Sequence, residues 1–543
     1  MTSAIHLRLL VILLPILLLS NAMNWIELEA EFESVERWPW SGDDEADSSD
    51  RILGIRDNQN NTKATVKRDS HSERKPPSTE GHYDYSEVIH LSIRFYEAQR
   101  SGQLPSNKRI AWRGHSALND KGKSRVEDLI GGWYDGGGNM KFVFPMAYSA
   151  TVLAWGMIEY KDTYDVAGLT PYMMDSLKWA YDFFIKCHAK RNRLFYQIGD
   201  VELEKTQWNR PEDSTMDAER PAFYADMNNP ASDVAATVSA SFATCYLIFK
   251  DKDPEYASIC LNEAKDLYRF ATQFPGRYQD MGSYASTDHI DDMVWAAAWL
   301  YRATNDNKYM DDAKRMYDES YFSRRSFAFG WDDKRPGVNM LMCILTGENQ
   351  YRDYLVRYLQ SWLPGERVQY TPKGLAWRVK KTPLRYTAAT AFLALMAADY
   401  GIEAEVYRSF AVRQIHYMLG DSERSFVVGY GHKSPTRPRH RASSCPDLSL
   451  PCTWQNSFRW DGPNHHTLYG ALVGGPDVDD SFEDSRVNVA QSSVSCDQNA
   501  GFQSALAGLR HLELRGHEYV YASEQPMHKF LKNPLNMKNS PRE

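Results

Sequence analysis

The segment GGWYDGGGNMKF, residues 131–142, places one carboxylate between two glycine-rich runs. Trp133 and Tyr134 precede Asp135, and three glycines follow it. Glycine is used where the backbone must take a positive φ or approach another group closely. An aromatic pair and a carboxylate on such a loop are typical of a binding or catalytic site. Acid–base chemistry on a sugar or a phosphate usually needs two groups, however, and this segment offers only Asp135.

The segments that must position this loop have helical periodicity from residue 84 onward, whereas strand-like alternation is scarce. Residues 293–301 and 388–400 are apolar on nearly every side, and residues 307–319 carry one apolar stripe. A helix that is apolar all round must be covered all round. Alternation of the two kinds predicts an inner ring of helices inside an outer ring, with the functional loops gathered at its mouth. The predicted helices span about 84–101, 146–161, 171–187, 231–249, 257–273, 290–304, 307–319, 336–346, 349–361, 384–400, 403–418 and 498–511.

The amino terminus has the pattern of a secretory signal peptide. Residues 9–19 form an apolar run that is short for a membrane span, and Arg8 precedes it. Ser20-Asn21-Ala22 provides a small-x-small cleavage site. We therefore expect a signal peptide over residues 1–22 and a secreted, extracellular protein with no membrane attachment after cleavage. An uncleaved anchor is the alternative.

Three further regions follow the predicted signal peptide. Residues 23–82 combine low apolar content with mixed charge, which predicts a disordered leader. Asn60 begins the sequon Asn-Asn-Thr and is the predicted glycosylation site. Residues 83–511 form the predicted helical domain, and residues 512–543 form a carboxy-terminal tail.

Charge and composition narrow the class of function. The 543 residues carry a net charge of -8, which gives no basic footprint for nucleic acid. The 15 Trp and 32 Tyr fit either a large aromatic core or a cleft in which rings stack on sugars.

Cys445 and Cys452 flank the short loop CPDLSLPC and are the predicted disulfide. Four other cysteines lie in helix-like segments and can be buried thiols: Cys187, Cys245, Cys260 and Cys343.

Ordered landmarks from residue 83 to residue 509 resemble glycoside hydrolase family nine, the secreted endo-β-1,4-glucanases or cellulases. The resemblance implies an all-α (α/α)6 double-ring barrel and hydrolysis of cellulose-type β-glucans with inversion. The matching segments are FYEAQRSGQLPSNKRIAWRG (95–114), DLIGGWYDGGGNMKFVFPMAYSATVLAW (128–155), WNRPED (208–213), NNPASDVAA (228–236), VWAAAWLYRAT (294–304), WDDK (331–334), QYTPKGL (369–375), PLRY (383–386), SFVVGYG (425–431), RASSCP (441–446) and DQNAGFQSALAGL (497–509).

The resemblance also implies a catalytic base and a catalytic acid, and this sequence has neither. The family's first loop reads Asp-Ala-Gly-Asp, in which the second Asp is the base. Here Asp135 survives as the residue that helps hold the water, and Gly138 stands at the base position. The acid glutamate aligns with Ser493 in DSRVNVAQSSVSCDQNAG, residues 484–501. In the Pro-His-x-Arg motif, Arg441 is kept and Arg439 replaces the histidine.

The remaining site residues are also implied by the resemblance. The expected substrate-binding residues are Trp133, Tyr134, Trp331, Trp377 and Arg441. Serines at 283 and 286, Lys381 and Gln498 stand where aromatic rings or glycine are usual. No cofactor is expected except a possible structural Ca²⁺, with Asp288, Asp291 and Asp292 as oxygen ligands. The alternative for these aspartates is an acidic cluster at a helix amino terminus.

Three interpretations of the altered motifs remain open at the level of sequence. In the first, the protein is a pseudoenzyme that acts as an extracellular scaffold or weak glycan binder, with β-glucan or another polysaccharide as its partner. In the second, it is an active endoglucanase with Asp135 as base and a recruited acid. The candidate acids are Asp480, Glu483 and Asp484. In the third, the sequence is in error at these motifs.

Overall fold

The computed structural model describes residues 83–122, 124, 126–213, 220–278, 283–319, 322 and 326–516. The predicted signal peptide, the whole leader with Asn60, and the tail beyond residue 516 lie outside the described residues. The helices are α1 Tyr85–Ala98, α2 Val143–Glu159, α3 Lys161–Val166, α4 Thr170–Cys187, α5 Val201–Lys205, α6 Ser232–Phe249, α7 Pro254–Gln273, α8 Ile290–Thr304, α9 Asn307–Glu319, α10 Arg335–Thr346, α11 Asn349–Gln360, α12 Pro383–Asp399, α13 Ala404–His416, α14 Arg441–Ser444, α15 Val489–Ser492 and α16 Cys496–Leu514.

Six of these helices close an inner ring. Going round it, α2 contacts α6, α6 contacts α8, and the ring continues through α10, α12 and α16 back to α2. These helices are largely buried; in α12, for example, every residue from Pro383 to Ala398 is buried. The outer helices α1, α4, α7, α9, α11 and α13 lie against them. The predicted double ring is confirmed.

Each of the twelve predicted helices matches one ring helix, and the differences lie at the ends. Helix α1 stops at Ala98 although the sequence predicted helix to residue 101. The chain after Ala98 pairs instead with the glycine loop, where Tyr134 N–H donates to Gln99 O at 2.8 Å and Ser101 N–H donates to Gly132 O at 2.9 Å. This pairing fixes the glycine loop against the first outer helix.

Short strands support the loops at the mouth of the barrel. Strands β1 (Lys141–Phe142), β2 (Leu194–Ile198) and β3 (Ala222–Ala225) form an antiparallel sheet in the order β1-β2-β3. Strands β4 (Gln369–Tyr370) and β5 (Ala376–Trp377) form a second antiparallel pair. Strand β1 joins the glycine loop directly to inner helix α2, so this loop is held on both sides.

Two disulfides and one apolar helix complete the description. The predicted Cys445–Cys452 disulfide is confirmed. Cys245 and Cys260, whose pairing the sequence left open, form a second disulfide between α6 and α7, because these neighbouring helices bring them together. In the described part of the chain, α6 alone is long and apolar enough to cross a membrane, and it is mostly buried as an inner helix.

Candidate active site

Three loops that are distant in sequence meet through backbone hydrogen bonds at the mouth of the inner ring. Arg441 N–H donates to Gly137 O at 2.9 Å, and Arg439 N–H donates to Ser492 O at 2.9 Å. Cys496 N–H donates to Asp135 O at 2.8 Å. These bonds bring the three altered motif positions, Gly138, Arg439 and Ser493, to the lining of one cavity.

The three glycines after Asp135 differ in what a side chain at each position would contact. A Cβ at Gly136 would lie 2.2 Å from Val494 O, and a Cβ at Gly137 would lie 2.3 Å from Arg439 O. Both positions therefore need glycine because another backbone approaches closely. A Cβ at Gly138 would meet only the Glu204 side chain, at 2.8 Å from Oε1. The backbone contacts therefore leave room for a side chain at residue 138, provided that Glu204 moves.

Glu204 places its carboxylate beside the missing base position. This side chain is buried, and its Oε1 accepts a hydrogen bond from Asn139 N–H at 2.7 Å and lies 3.4 Å from Arg441 Nε. Arg441 also donates to Glu204 O at 2.7 Å and to Gln207 O. Arg441 thus anchors helix α5 to the cavity wall. Sequence reasoning missed Glu204, because an acidic residue in a short charged helix carries no signal of burial.

The described part of the lining of this cavity is cationic. Among the described residues that line it, none is Asp or Glu, and four are Lys or Arg. A glycosidase cleft has the opposite requirement, since hydrolysis needs two carboxyl groups facing the sugar. The lining residues are Gly137, Gly138, Trp208, Lys381, Thr382, Arg385, Arg439, Arg441, Val489, Ser493, Val494 and Ser495.

Trp208 lies close to two of these cations. The guanidinium carbons of Arg439 and Arg441 lie 5.3 and 5.1 Å from its ring, within the range of a cation–π contact. Its indole N–H donates to Ser444 Oγ at 2.9 Å. Burial, and then the charge of Arg441, lower the pKa of Arg439 to about 10, so the Arg439 guanidinium stays charged at neutral pH. Trp208 lies in the matching segment WNRPED, but the sequence did not predict it as a site residue.

Asp135 is buried behind the lining. Its Oδ2 accepts a hydrogen bond from Tyr284 O–H at 2.5 Å. Burial, and then the charge of Asp497, raise its pKa to about 7. Asp497 pairs with Arg385 at 3.1 Å. Asp135 can therefore exchange a proton near neutral pH, but it is not among the groups that line the cavity.

Three of the predicted sugar-stacking rings are buried, and two of them are buried almost completely. Trp133 is 0% exposed and packs against Tyr96 at 5.0 Å between centroids, and Tyr134 is 2% exposed and donates to Ser116 Oγ. A ring without an exposed face cannot stack on a sugar, so the prediction for these two is corrected. Trp331 is 8% exposed, with its ring edge-on to Tyr284.

Trp377 remains partly exposed at the end of β5. Its indole N–H donates to Pro476 O at 3.1 Å, which fixes the ring beside the segment that leads to α15. Of the four predicted rings, Trp377 is therefore the one with the most accessible face.

The three aspartates predicted to bind Ca²⁺ form other contacts in the structure. Asp292 pairs with Lys334 Nζ at 2.5 Å, and Asp291 accepts from Lys334 N–H at 2.6 Å. Asp288 is exposed and accepts from His289 N–H at the start of α8. The Lys334 ammonium takes the place beside Asp292 that a cation would need, so this donor set does not fit Ca²⁺. Within the described ranges, no group of three His, Cys, Asp or Glu side chains could hold a metal ion.

The three carboxylates considered as a recruited acid lie outside the cavity lining. Asp480 accepts from Lys373 N–H at 2.7 Å and from Tyr417 O–H at 2.5 Å. Asp484 accepts from the backbone N–H groups of residues 436 and 437. Glu483 is exposed and accepts from Asn488 Nδ2 at 3.1 Å. Asp480 and Asp484 thus hold loops in place.

Comparisons with known proteins agree with the fold. Residues 85–506 match the model of glycosyl hydrolase family 9. Endoglucanase A of Bacillus pumilus is 40% identical over 79% of this chain and 67% of its own length. Endoglucanase 23 of Arabidopsis thaliana is 36% identical over 78% of this chain and 94% of its own. The termite endoglucanase of Nasutitermes takasagoensis superposes with a TM-score of 0.77 at 44% identity, over 79% of this chain and 99% of that one. With the double ring of helices, these matches show that the chain belongs to glycosyl hydrolase family 9.

Proposed function

We propose that this family-9 protein is a secreted, catalytically inactive relative of the endoglucanases that retains weak glycan binding or a scaffold role. The observation that carries the proposal is the cavity lining, in which Gly138 and Ser493 stand at the base and acid positions and no described lining residue is acidic. Inverting hydrolysis needs a base to activate water and an acid to protonate the leaving oxygen. Loss of one such proton transfer typically costs ~10²–10⁴ in rate.

The competing proposal is an active enzyme with recruited carboxylates. Its strongest support is that Asp135 is kept with a pKa near 7 and that the Glu204 carboxylate lies beside residue 138. Against it, Glu204 Oε1 already accepts from Asn139 N–H and faces Arg441. An acid is also required at the position of Ser493, and Asp480, Glu483 and Asp484 do not line the cavity. The inactive protein therefore has the better support.

The proposed ligand class is a β-glucan or a related polysaccharide. Crystal structures of the related Clostridium thermocellum endoglucanase CelQ contain cellotriose or cellotetraose, and that protein is 33% identical over 79% of this chain in its cellotriose complex. In this chain, Trp133 and Tyr134 are buried and offer no sugar platform. Each missing ring contact could weaken binding by ~0.5–1.5 kcal/mol if ring–sugar contacts resemble ring pairs. We therefore expect weak binding of neutral cello-oligosaccharides.

The experiment is a hydrolysis assay on the purified protein. Release of reducing ends from carboxymethylcellulose, lichenan and cellohexaose is measured for the wild type and for Asp135→Ala. We expect no release from either protein above the blank. Robust wild-type turnover that Asp135→Ala abolishes would overturn the proposal in favour of a rewired enzyme. Isothermal titration with cellotetraose and cellohexaose, with Trp377→Ala as a variant, measures the remaining glycan affinity.

A further inference from the structure

We propose that the loop of residues 448–460 is a second glycan-binding surface, on which the indoles of Trp454 and Trp460 stack on a β-glucan chain outside the cavity. The proposal deepens the proposed function: it rests on the β-glucan ligand class proposed above and assigns a further place for that ligand. Two observations carry it. The loop continues an aromatic cluster outward from the cavity, and other segments of the chain hold its backbone in place.

The loop exposes four large apolar side chains within a short stretch. Trp454 is 36% exposed and Trp460 is 47% exposed, and Leu448 and Leu450 are 52% and 55% exposed. Large apolar side chains that are exposed singly are common on protein surfaces, whereas a concentration of them marks a binding surface. The loop is therefore a candidate binding surface.

Contacting rings join this loop to the cavity. Trp208 lines the cavity, and the centroid of its ring lies 4.6 Å from that of Phe458 and 5.9 Å from that of Trp454. The rings of Trp454 and Phe458 also contact each other edge to face at 5.3 Å. The three rings form one cluster whose inner member lines the cavity and whose outer member, Trp454, is exposed. A glycan chain that leaves the cavity beside Trp208 would meet Trp454 next.

Trp460 presents a fixed ring on the same turn of the backbone. Arg459 N–H donates to Trp454 O at 2.8 Å, so the residue before Trp460 is tied to the first indole. The Trp460 ring stacks on His465 with 6.0 Å between centroids and 19° between planes. Its indole N–H donates to Pro463 O at 3.2 Å. The ring is thus held in one orientation, which lowers the entropy that it loses when a sugar stacks on it.

Two buried arginines hold the backbone at the ends of the loop. Near its start, Arg210 donates to Asp447 O at 3.0 Å and to Leu450 O. Near its end, Arg486 donates to Trp460 O. A loop that is fixed in this way presents its exposed rings in one arrangement, so little ordering has to accompany binding.

The polar groups beside the rings favour a neutral ligand. Gln455, Arg459 and Asp461 are exposed there, and they supply an amide, a cation and a carboxylate. A surface of mixed charge offers no net attraction to an ionic ligand, whereas sugar hydroxyl groups both donate and accept hydrogen bonds. The apolar faces of pyranose rings stack on flat aromatic rings. A neutral β-glucan chain therefore fits both the rings and their surroundings.

The test measures partition of the full chain onto phosphoric-acid-swollen cellulose and isothermal titration with cellohexaose. The proteins compared are the wild type, Trp454→Ala, Trp460→Ala and the double variant, with thermal melts to show that each is folded. We expect the wild type to bind swollen cellulose. Each single substitution should weaken that binding about threefold or more, and the double substitution about tenfold or more, as for the loss of one or two stacking contacts.

The matched control is Tyr400→Ala. Tyr400 is 48% exposed and follows the end of α12, whose first turn lies at the cavity, so this ring is at the opposite end of the barrel. Removing an exposed aromatic ring there should leave the affinity for swollen cellulose within about twofold of wild type. An equal loss in Tyr400→Ala and in the double variant would overturn the proposal, because adsorption would then be unspecific.

The outcomes separate this proposal from the proposed function. Binding that Trp377→Ala weakens and that the Trp454→Ala/Trp460→Ala variant leaves unchanged would overturn the loop surface and keep the glycan in the cavity. Sedimentation that shows a dimer of the wild type and a monomer of the double variant, with equal binding of cellulose, would make the loop a contact between two copies and also overturn it. A wild type that binds no glucan would overturn the proposed ligand class together with the loop surface. The hydrolysis assay decides separately whether the protein is inactive.

Discussion

The three consecutive glycines after Asp135 should respond very differently to alanine. At Gly136 the new Cβ would lie 2.2 Å from Val494 O and 2.7 Å from Ser495 Cα, and at Gly137 it would lie 2.3 Å from Arg439 O. Neither neighbour is a flexible side chain, so the loops must separate. Overpacking of this kind costs about 1–3 kcal/mol. Weakening one or two of the loop hydrogen bonds adds roughly 1 kcal/mol each. We expect Gly136→Ala and Gly137→Ala each to lower the free energy of unfolding by about 2–5 kcal/mol.

Gly138→Ala is the internal control for this prediction. Its Cβ would meet only the Glu204 side chain, 2.8 Å from Oε1, which costs some stability. Alanine also restricts the unfolded chain, and this effect raises the free energy of unfolding by about 0.4–1 kcal/mol. The net change should stay within about 1 kcal/mol. Urea unfolding followed by tryptophan fluorescence and circular dichroism gives the three values. Equal losses for all three variants, or a neutral Gly136→Ala, would refute the assignment of these glycines to close backbone approach.

Three further predictions concern buried charges and the short disulfide. Because burial raises the pKa of Asp135 from 3.8 to about 7, its carboxyl is protonated in the folded state and ionised in the unfolded state between those values. Wild-type stability relative to Asp135→Asn should therefore fall by about 1 kcal/mol per pH unit from roughly pH 4 to 7 and level off above, as measured by urea unfolding at each pH. Lys334→Met should lower the free energy of unfolding by about 3–5 kcal/mol because Asp292 loses its buried partner. The double variant Lys334→Met/Asp292→Leu should lower it less, because no unpaired charge is left in the core. A chelator should leave the wild-type melting temperature unchanged. Replacing Cys445 and Cys452 by serine removes their disulfide and should lower the free energy of unfolding in urea by about 2–3 kcal/mol, as expected for a loop of this length.

The ring helices could be predicted because their apolar spacing reflects how many sides are covered. Residues 388–400 are apolar all round and lie in inner helix α12, whereas α9 buries only Tyr309, Met310 and Ala313. Helix ends were less predictable, because α1 stops where its backbone pairs with the glycine loop. That pairing depends on residues 132–134, which are distant in sequence.

The site could be predicted only in part. The family resemblance brought Gly138, Arg439 and Ser493 to one place, and the structure agrees. It did not show that Trp133 and Tyr134 face the core, since an aromatic residue after glycine gives no sign of its direction. Glu204 and the Lys334–Asp292 pair were also missed, because burial of a charge depends on a partner supplied by another segment.

The central claim is that hydrolysis is lost at residues 138 and 493, and restoring both carboxyl groups tests it most directly. Turnover of cellohexaose is measured for the wild type, Gly138→Asp, Ser493→Glu and the double variant, each with and without Glu204→Gln. The last change removes the carboxylate charge that lies 2.8 Å from the new Cβ at residue 138. We expect background rates for the wild type and both single variants, and a gain of at least about tenfold for a variant with both carboxyl groups, as two restored proton transfers allow. A wild-type rate that already exceeds that of every restored variant would contradict the account.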